Sequence, residues 1–361
     1  MFSLKLDDTQ SQIKEMTAKF AEDVISPGAI ERDQSGKFPK EILDQMGELG
    51  FLGMMVDPEY DGSGMDAVSY TIAMEEFSKA DASLGIVTSV QNSLVDWILE
   101  EYGSDEQKEK YLKPAARGEH IGAYCLSEPE AGSDARQIKT LAEKKGDKWI
   151  MNGSKNWIST GSNADIFIVF AQTDPELLHK GITAFVFSKD APGLEIGKKE
   201  SKMGMRSSDT VSLHFSNIEL TDRNVIGEVG KGFYIAMHGL NGGRIGIASQ
   251  ALGIAQGAFE RSVKYALERK TMGMEIAKHQ LIQSKIAKMS MKIDAARMLV
   301  RKAAWLKDQK KDHIKAASHA KLYASTIANE VTKEAIQIHG GYGYTTEYEV
   351  ERMYRDAKVT E

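Results

Sequence analysis

The hydrophobic period of this chain changes twice, and that change limits the folds open to it. Over residues 8–118 apolar residues recur at three- and four-residue spacing, the period of an α-helix. Ile13, Met16, Phe20, Val24 and Ile25 form one stripe, and Pro27-Gly28 ends it. Pro39 opens a second helix, with Ile42, Leu43, Met46 and Leu49 on its inner side and Gly50 past its end. Residues 58–64 read as a loop. Two further helices are predicted over about 66–79 and 81–101, the second carrying Val87, Val90, Leu94, Trp97 and Ile98. Between about 121 and 228 the period shortens to β-branched and aromatic runs at 166–170, 182–187 and 211–215, separated by turns. Helical spacing returns near 233 and persists through Ile245, Ala248, Leu252, Ala255, Phe259 and Val263, then through 281–305 and 316–338.

The predicted architecture is mainly α with a central β domain. A helical domain (1–120) precedes a small antiparallel β domain, barrel or sandwich (121–228), and a helical bundle (229–361) follows. This order is not the strand–helix alternation of a doubly wound sheet. Gly242-Gly243-Arg244-Ile245-Gly246 opens a helix instead of following a strand, with the wrong spacing for a dinucleotide turn. A nucleotide or flavin must be held here without such a unit.

Charge and cysteine content narrow the function. A net charge of -6 argues against nucleic acid or an anionic membrane as partner. The single cysteine, Cys125, excludes an internal disulfide, and its apolar neighbours read as burial and not as a nucleophile. The eight histidines show no metal-ligand spacing. No run of about 18 apolar residues predicts a membrane span, and the N-terminus has no basic region followed by an apolar core. A soluble intracellular protein is expected, in a bacterial cytoplasm or, after processing, in a mitochondrial matrix.

The chemistry concentrates between Tyr124 and Ser159. Tyr124-Cys125-Leu126-Ser127-Glu128-Pro129-Glu130-Ala131-Gly132-Ser133-Asp134 gathers small and hydroxylic residues that let backbone amides approach a ligand. Asn152-Gly153 between two apolar runs predicts a hairpin turn. Lys155-Asn156-Trp157-Ile158-Ser159-Thr160 then sets an indole two residues before a hydroxyl, which on a regular strand share a face. A planar ligand would stack on Trp157 while Ser159 meets its polar edge.

These two segments resemble the flavin-binding signature of the acyl-CoA dehydrogenase family, and the resemblance extends over nearly the whole chain. It implies FAD as cofactor, with Tyr124, Leu126, Ser127, Gly132, Ser133, Trp157, Ile158 and Ser159 around the flavin. LERKTMG (267–273) is similar to the family segment whose arginine, here Arg269, reaches a flavin diphosphate across a subunit interface, with Thr271 beside it. Gln280 aligns with a second contact. Gln337-Ile338-His339-Gly340-Gly341 resembles the run that borders a neighbouring subunit's flavin, through Gln337, Gly340 and Gly341. Asn241-Gly242-Gly243-Arg244, read as the opening of a helix and so as an anion site, resembles the family's CoA contact, shared with Ser133. A four-helix C-terminal bundle and a homotetramer are implied as well.

The implied reaction is α,β-dehydrogenation of an acyl-CoA to the trans-2-enoyl-CoA, with electrons passed to an electron-transfer flavoprotein. Arg244 to Gly253 looks most like the short-chain, butyryl-CoA branch, and Trp97 is a candidate for shortening the acyl pocket. The family's glutamate base follows an Arg-Asp-Ala-Lys segment (here 355–358) and is expected just beyond Glu361, which aligns before it. The minority position for that base, directly before Arg244, is Gly243. Two other readings stay open. One is an acyl-CoA oxidase or flavin monooxygenase on the same fold, marked by oxygen consumption without another acceptor. The other is a non-catalytic CoA-binding protein, marked by a colourless preparation.

Overall fold

The computed structural model describes residues 5–361; Met1–Leu4, part of the N-terminal segment read for a signal region, lie outside the described residues. Eight helices come first: α1 (Asp8–Phe20), α2 (Ala29–Ser35), α3 (Lys40–Glu48), α4 (Ala67–Ala80), α5 (Ala82–Val90), α6 (Trp97–Tyr102), α7 (Asp105–Gln107) and α8 (Lys113–Ala116). Their starts follow local chemistry. Asp7 and Gln10 form a reciprocal capping box on α1, and the Asp66 and Asp81 carboxylates cap α4 and α5. The helix predicted over 81–101 is interrupted by a π-helical turn at Gln91–Asp96. Two buried amides sit there. Asn92 bonds the backbone of Phe51 and Met54, and Gln91 accepts from Gly122 N and donates to Asp96. A π-turn admits such side-chain demands within a helix.

The middle part is one sheet. Its strands are β1 (Gly122–Cys125), β2 (Leu141–Lys145), β3 (Lys148–Ser159), β4 (Ile166–Gln172), β5 (Ile182–Ser188), β6 (Leu194–Ile196), β7 (Thr210–Thr221) and β8 (Val225–Ile226). They run in the order β6-β7-β3-β2-β4-β5-β8, with β1 added against β4. Most pairs are antiparallel as expected, but β1 and β2 meet β4 in parallel. Every residue of β4 is buried, because both faces are covered. Ile166, Ile168 and Phe170 pack with Val95, Ile98, Leu99 and Ala236 of the helices, while Phe167, Val169 and Ala171 pack with Trp149, Leu213 and Phe215 of the sheet.

Asn152-Gly153 is not the hairpin turn. The β2–β3 turn is at Gly146-Asp147, and Asn152-Gly153 lies inside β3 as a bulge against β7. Gly153 takes φ 146°, and a Cβ there would come within 2.7 Å of Thr140, so glycine is needed for a close strand approach and not for a turn.

Four further helices complete the chain: α9 (Gly232–Glu268), α10 (Gln280–Asp308), α11 (Ile314–His339) and α12 (Val350–Ala357). α9, α10 and α11 pack together with the short α12, and α4 lies against α9 and α10. The α4–α9 approach is tight. A Cβ on Gly253 would fall 2.4 Å from the Glu75 carbonyl oxygen, and one on Gly246 2.5 Å from the Tyr70 hydroxyl of the same helix. Charged side chains fasten α4 to α10 as well: Glu75 of α4 accepts from Arg297 and Arg301 of α10 at 2.8–3.1 Å. On an exposed helix, glycine to alanine would gain about 1 kcal/mol. Here Gly253→Val is expected to lose about 1–3 kcal/mol through overpacking, read as a lower denaturant midpoint with an unchanged m-value.

Candidate active site

β1 ends at Cys125, and the chain leaves the sheet through Leu126, Ser127 and Glu128 beside the far end of β3. Three contacts hold this exit loop to the strand. Asn156 N donates to Ser127 O at 2.9 Å, Lys155 Nζ donates to Leu126 O at 3.0 Å, and Lys155 Nζ meets Glu128 Oε1 at 2.8 Å. Lys155 is fully buried and Glu128 nearly so. The carboxylate also accepts from the backbone N–H groups of Lys139 and Thr140. Burial pushes the Lys155 ammonium down from its ordinary range. Burial alone would raise Glu128, but the ammonium and the N–H donors outweigh it and hold the carboxyl below its usual value. The pair is therefore charged and bonded from both ends.

Beyond this tether lies a cavity of about 820 Å³. Tyr124, Leu126, Ser127, Gly132 and Ser133 line it from one strand exit, and Trp157, Ile158 and Ser159 from the other. Regular strand alternation does not place these last three. The register slips between Lys155 and Ile158, and Trp157 takes φ 61°. That bulge leaves the indole 61% exposed while Ile158 is buried. Tyr124 is held by its hydroxyl on Ala236 O at 3.3 Å and its ring 5.1 Å from Phe170. An exposed indole beside Ser127 and Ser159 hydroxyls suits a planar ring with a polar edge. Cys125, by contrast, is fully buried, and burial pushes its thiol up, so it is no nucleophile.

The third wall is helix α9. Phe233, Met237, Leu240 and Arg244 line the same cavity, and Ile247 and Gln250 line a second one of about 360 Å³. These six residues recur at i, i+4, i+7, i+11, i+14 and i+17, one stripe of a helix. At 1.5 Å per residue the stripe spans roughly 25 Å. Ser159 lines both cavities and marks where they meet. The second cavity is closed by Ile86, Met205 and Thr360 among others. Sequence reasoning missed Phe233, Met237 and Leu240, although their spacing was visible.

Asn241–Arg244 does not open a helix. It lies in the interior of α9, where the backbone amides are engaged in helical bonds, so the expected amide anion site is absent there. Arg244 bonds the Asn241 side chain and has no ion pair among the described residues; it alone of the four lines the cavity. Gly243 faces Leu94 of the π-turn. Trp97 lines neither cavity. It packs edge-on to Tyr102 and His238, with ring centroids 5.8 and 4.8 Å away.

The remaining predicted residues gather elsewhere. Arg269, Thr271, Gly340 and Gly341 line a third cavity of about 450 Å³, together with Tyr265, His339 and Tyr342. The Arg269 guanidinium sits 5.7 Å from the Tyr342 ring centroid, with no ion pair among the described residues. Nothing lies within 4 Å of a Cβ built on Gly340 or Gly341, so their backbone is open to approach. An unpaired guanidinium beside bare backbone suits a phosphate. Gln280 and Gln337 stand on α10 and α11 outside these cavities' linings. No metal-binding cluster occurs among the described residues, and none of their helices is long and apolar enough to cross a membrane.

Residues 7–119, 123–218 and 230–361 match the acyl-CoA dehydrogenase N-terminal, middle and C-terminal domains. A short-chain specific acyl-CoA dehydrogenase of Clostridium acetobutylicum is 46% identical over 98% of this chain and 93% of its own length. The chain belongs to the acyl-CoA dehydrogenase family. Among solved structures, butyryl-CoA dehydrogenase of Megasphaera elsdenii superposes with a TM-score of 0.97 at 44% identity, covering 99% of this chain and 95% of that one. A chain solved in work on the electron transferring flavoprotein of Acidaminococcus fermentans gives 0.98 at 47% identity, covering 99% and 94%. Acyl-CoA dehydrogenases are FAD enzymes, and this one is an oxidoreductase acting on acyl-CoA.

The tether in this acyl-CoA dehydrogenase carries a prediction. Lys155→Met leaves a buried carboxylate unpaired and is expected to cost about 3–5 kcal/mol, whereas Lys155→Met with Glu128→Leu recovers most of that loss. Chemical denaturation of the three proteins checks both statements.

Proposed function

We propose that the chain oxidises a short-chain acyl-CoA, near butyryl-CoA, to the trans-2-enoyl-CoA and passes the electrons to an electron-transfer flavoprotein. One observation carries the reading: the α9 stripe joins a long cavity, walled by Trp157 and hydroxyls, to a small pocket at Ser159. The acyl chain enters that pocket and the thioester lies beside Ser159. Tyr124, Leu126, Ser127, Gly132, Ser133, Trp157, Ile158 and Ser159 hold the flavin ring end of FAD, which supplies the hydride acceptor when bound. Ser133 and Arg244 serve the CoA. Asp134 is the only carboxylate among the described residues lining the two cavities, and it is exposed; the proton acceptor is assigned to none of these residues.

Arg269, Thr271, Gln280, Gln337, Gly340 and Gly341 hold the cofactor's diphosphate and adenosine side. Arg269, Thr271, Gly340 and Gly341 line a cavity that shares no residue with the flavin-ring cavity. In this reading, one FAD meets both groups when two copies of the chain adjoin, as in a homotetramer. The family membership supports this reading, and the relative solved in work on an electron transferring flavoprotein supports the acceptor.

An anaerobic visible spectrum of the full-length holoenzyme tests the reaction. A yellow protein that bleaches on butyryl-CoA is expected; a yellow protein that does not bleach moves the substrate elsewhere.

Chain length is tested separately. Gln250→Ala opens the closed end of the small pocket. Two buried methylenes are worth about 0.8 kcal/mol each, so the kcat/KM ratio of hexanoyl- to butyryl-CoA should rise roughly tenfold. Trp97→Ala, outside the pocket, should leave that ratio unchanged.

A further inference from the structure

The long cavity is lined by a cation that makes no ion pair among the described residues. Arg136 belongs to the 3₁₀ turn Ala135–Gln137, which packs on the segment Pro175–Gly181. Its guanidinium lies 5.8 Å from the Phe233 ring centroid, and Phe233 is met by the His179 ring at 5.3 Å and 68°. Arg136 is exposed and has no ion pair among the described residues, although 52 carboxylates are distributed over the chain. Of the basic residues lining the cavity there is one other, Arg244, and it stands eleven residues further along α9 than Phe233. Eleven residues of helix set Phe233 and Arg244 roughly 16 Å apart along α9.

The α9 stripe gives the cavity a direction. Its Gln250 end lines the small pocket, and its Phe233 end lines the long cavity at the opposite end of the stripe. A substrate that buries its acyl group at the closed end must lay its carrier along the stripe and leave the carrier's far end at Phe233. An aromatic ring orients a guanidinium without neutralising it. That leaves the donor fork of Arg136 available to phosphate oxygens, which it matches bidentately. With a net charge of -6 on the chain, attraction of a polyanion depends on such local cations.

We propose that Arg136, held over Phe233, is a specificity-determining residue that reads the phosphorylated nucleotide end of the acyl carrier, and so selects CoA thioesters over thioesters that end at pantetheine. The inference rests on the acyl-CoA reading above. His179 steadies Phe233 and makes no contact with the phosphates.

Titration calorimetry of the holoenzyme with crotonyl-CoA and with S-crotonyl-pantetheine tests it, because binding needs no turnover. Arg136→Ala should weaken crotonyl-CoA roughly tenfold and flatten its salt dependence, with crotonyl-pantetheine unchanged. Arg136→Lys should restore part of the loss. Crotonyl-dephospho-CoA assigns the contact: a loss on Arg136→Ala that persists with this ligand marks the diphosphate, and one that vanishes marks the 3′-phosphate. Equal weakening of both thioesters, or of neither, overturns the inference while leaving the acyl-CoA reading intact. Wild-type protein that binds neither thioester overturns that reading, and this inference with it.

Discussion

Helix α9 is the constraint on which the rest of the structure depends. Its 37 residues form a rod roughly 55 Å long, and each side answers to a different neighbour. Gly253 admits α4 to near backbone contact and Gly246 leaves room for the Tyr70 and Ser89 hydroxyls, while Ala251, Ala255 and Ala258 join the apolar core shared with α10 and α11. A helix buried on several sides has little amphipathic contrast, which is why its sequence reads as apolar throughout. The stripe from Phe233 to Gln250, packed in part against the helices and the sheet, also forms one wall of the two cavities. The same rigid element therefore sets both how the helical parts meet and how long a ligand the site accepts.

Polar burial does the complementary task of fixing what packing leaves free. Lys155 and Glu128 hold a loop exit to a strand end, and those two segments carry both predicted walls of the flavin-ring cavity. An apolar contact there would tolerate sliding; a charged pair with four directed bonds does not. Glu75 with Arg297 and Arg301 plays the same part between α4 and α10. At the far end, Arg355 bridges to Asp33 and to the Met203 carbonyl, so α12 is joined to α2 and to the loop lining the small pocket. Desolvated pairs of this kind add little net stability but penalise any other arrangement.

The order helical, β, helical was legible because each part is long enough to show its period. Trp157 with Ser159, Ser127 with Ser133, and Arg269 with Gly340 and Gly341 were singled out by the resemblance of their segments to the family signature, and the fold sets each group along a cavity. Misreadings came where a local signal has two meanings. Asn152-Gly153 signals a hairpin, yet glycine is also what a strand bulge against Thr140 requires. Asn241–Arg244 has the small residues of a helix start, but small residues inside a helix equally permit close packing. Trp97 has the bulk to shorten a pocket, but it packs on Tyr102 and His238 and lines neither cavity. Lys155 with Glu128, 27 residues apart, could not be paired without the fold.

The separation of the cavities has a physical consequence of its own. Arg269 stands beside the glycines after α11 with no ion pair among the described residues, while the exposed indole of Trp157 lines a different cavity. Leaving a guanidinium unpaired beside open backbone costs little in water but becomes unfavourable once a second copy covers it. In the assembly proposed above, an anionic cofactor removes that penalty at the moment of association. Cofactor binding and subunit association then stabilise one another by linkage, and each flavin ring is held by one chain while its phosphates answer to another. Such an arrangement lets the substrate cavity along α9 remain the work of a single chain, with its length set by one helix and its depth by Gln250 and Thr360.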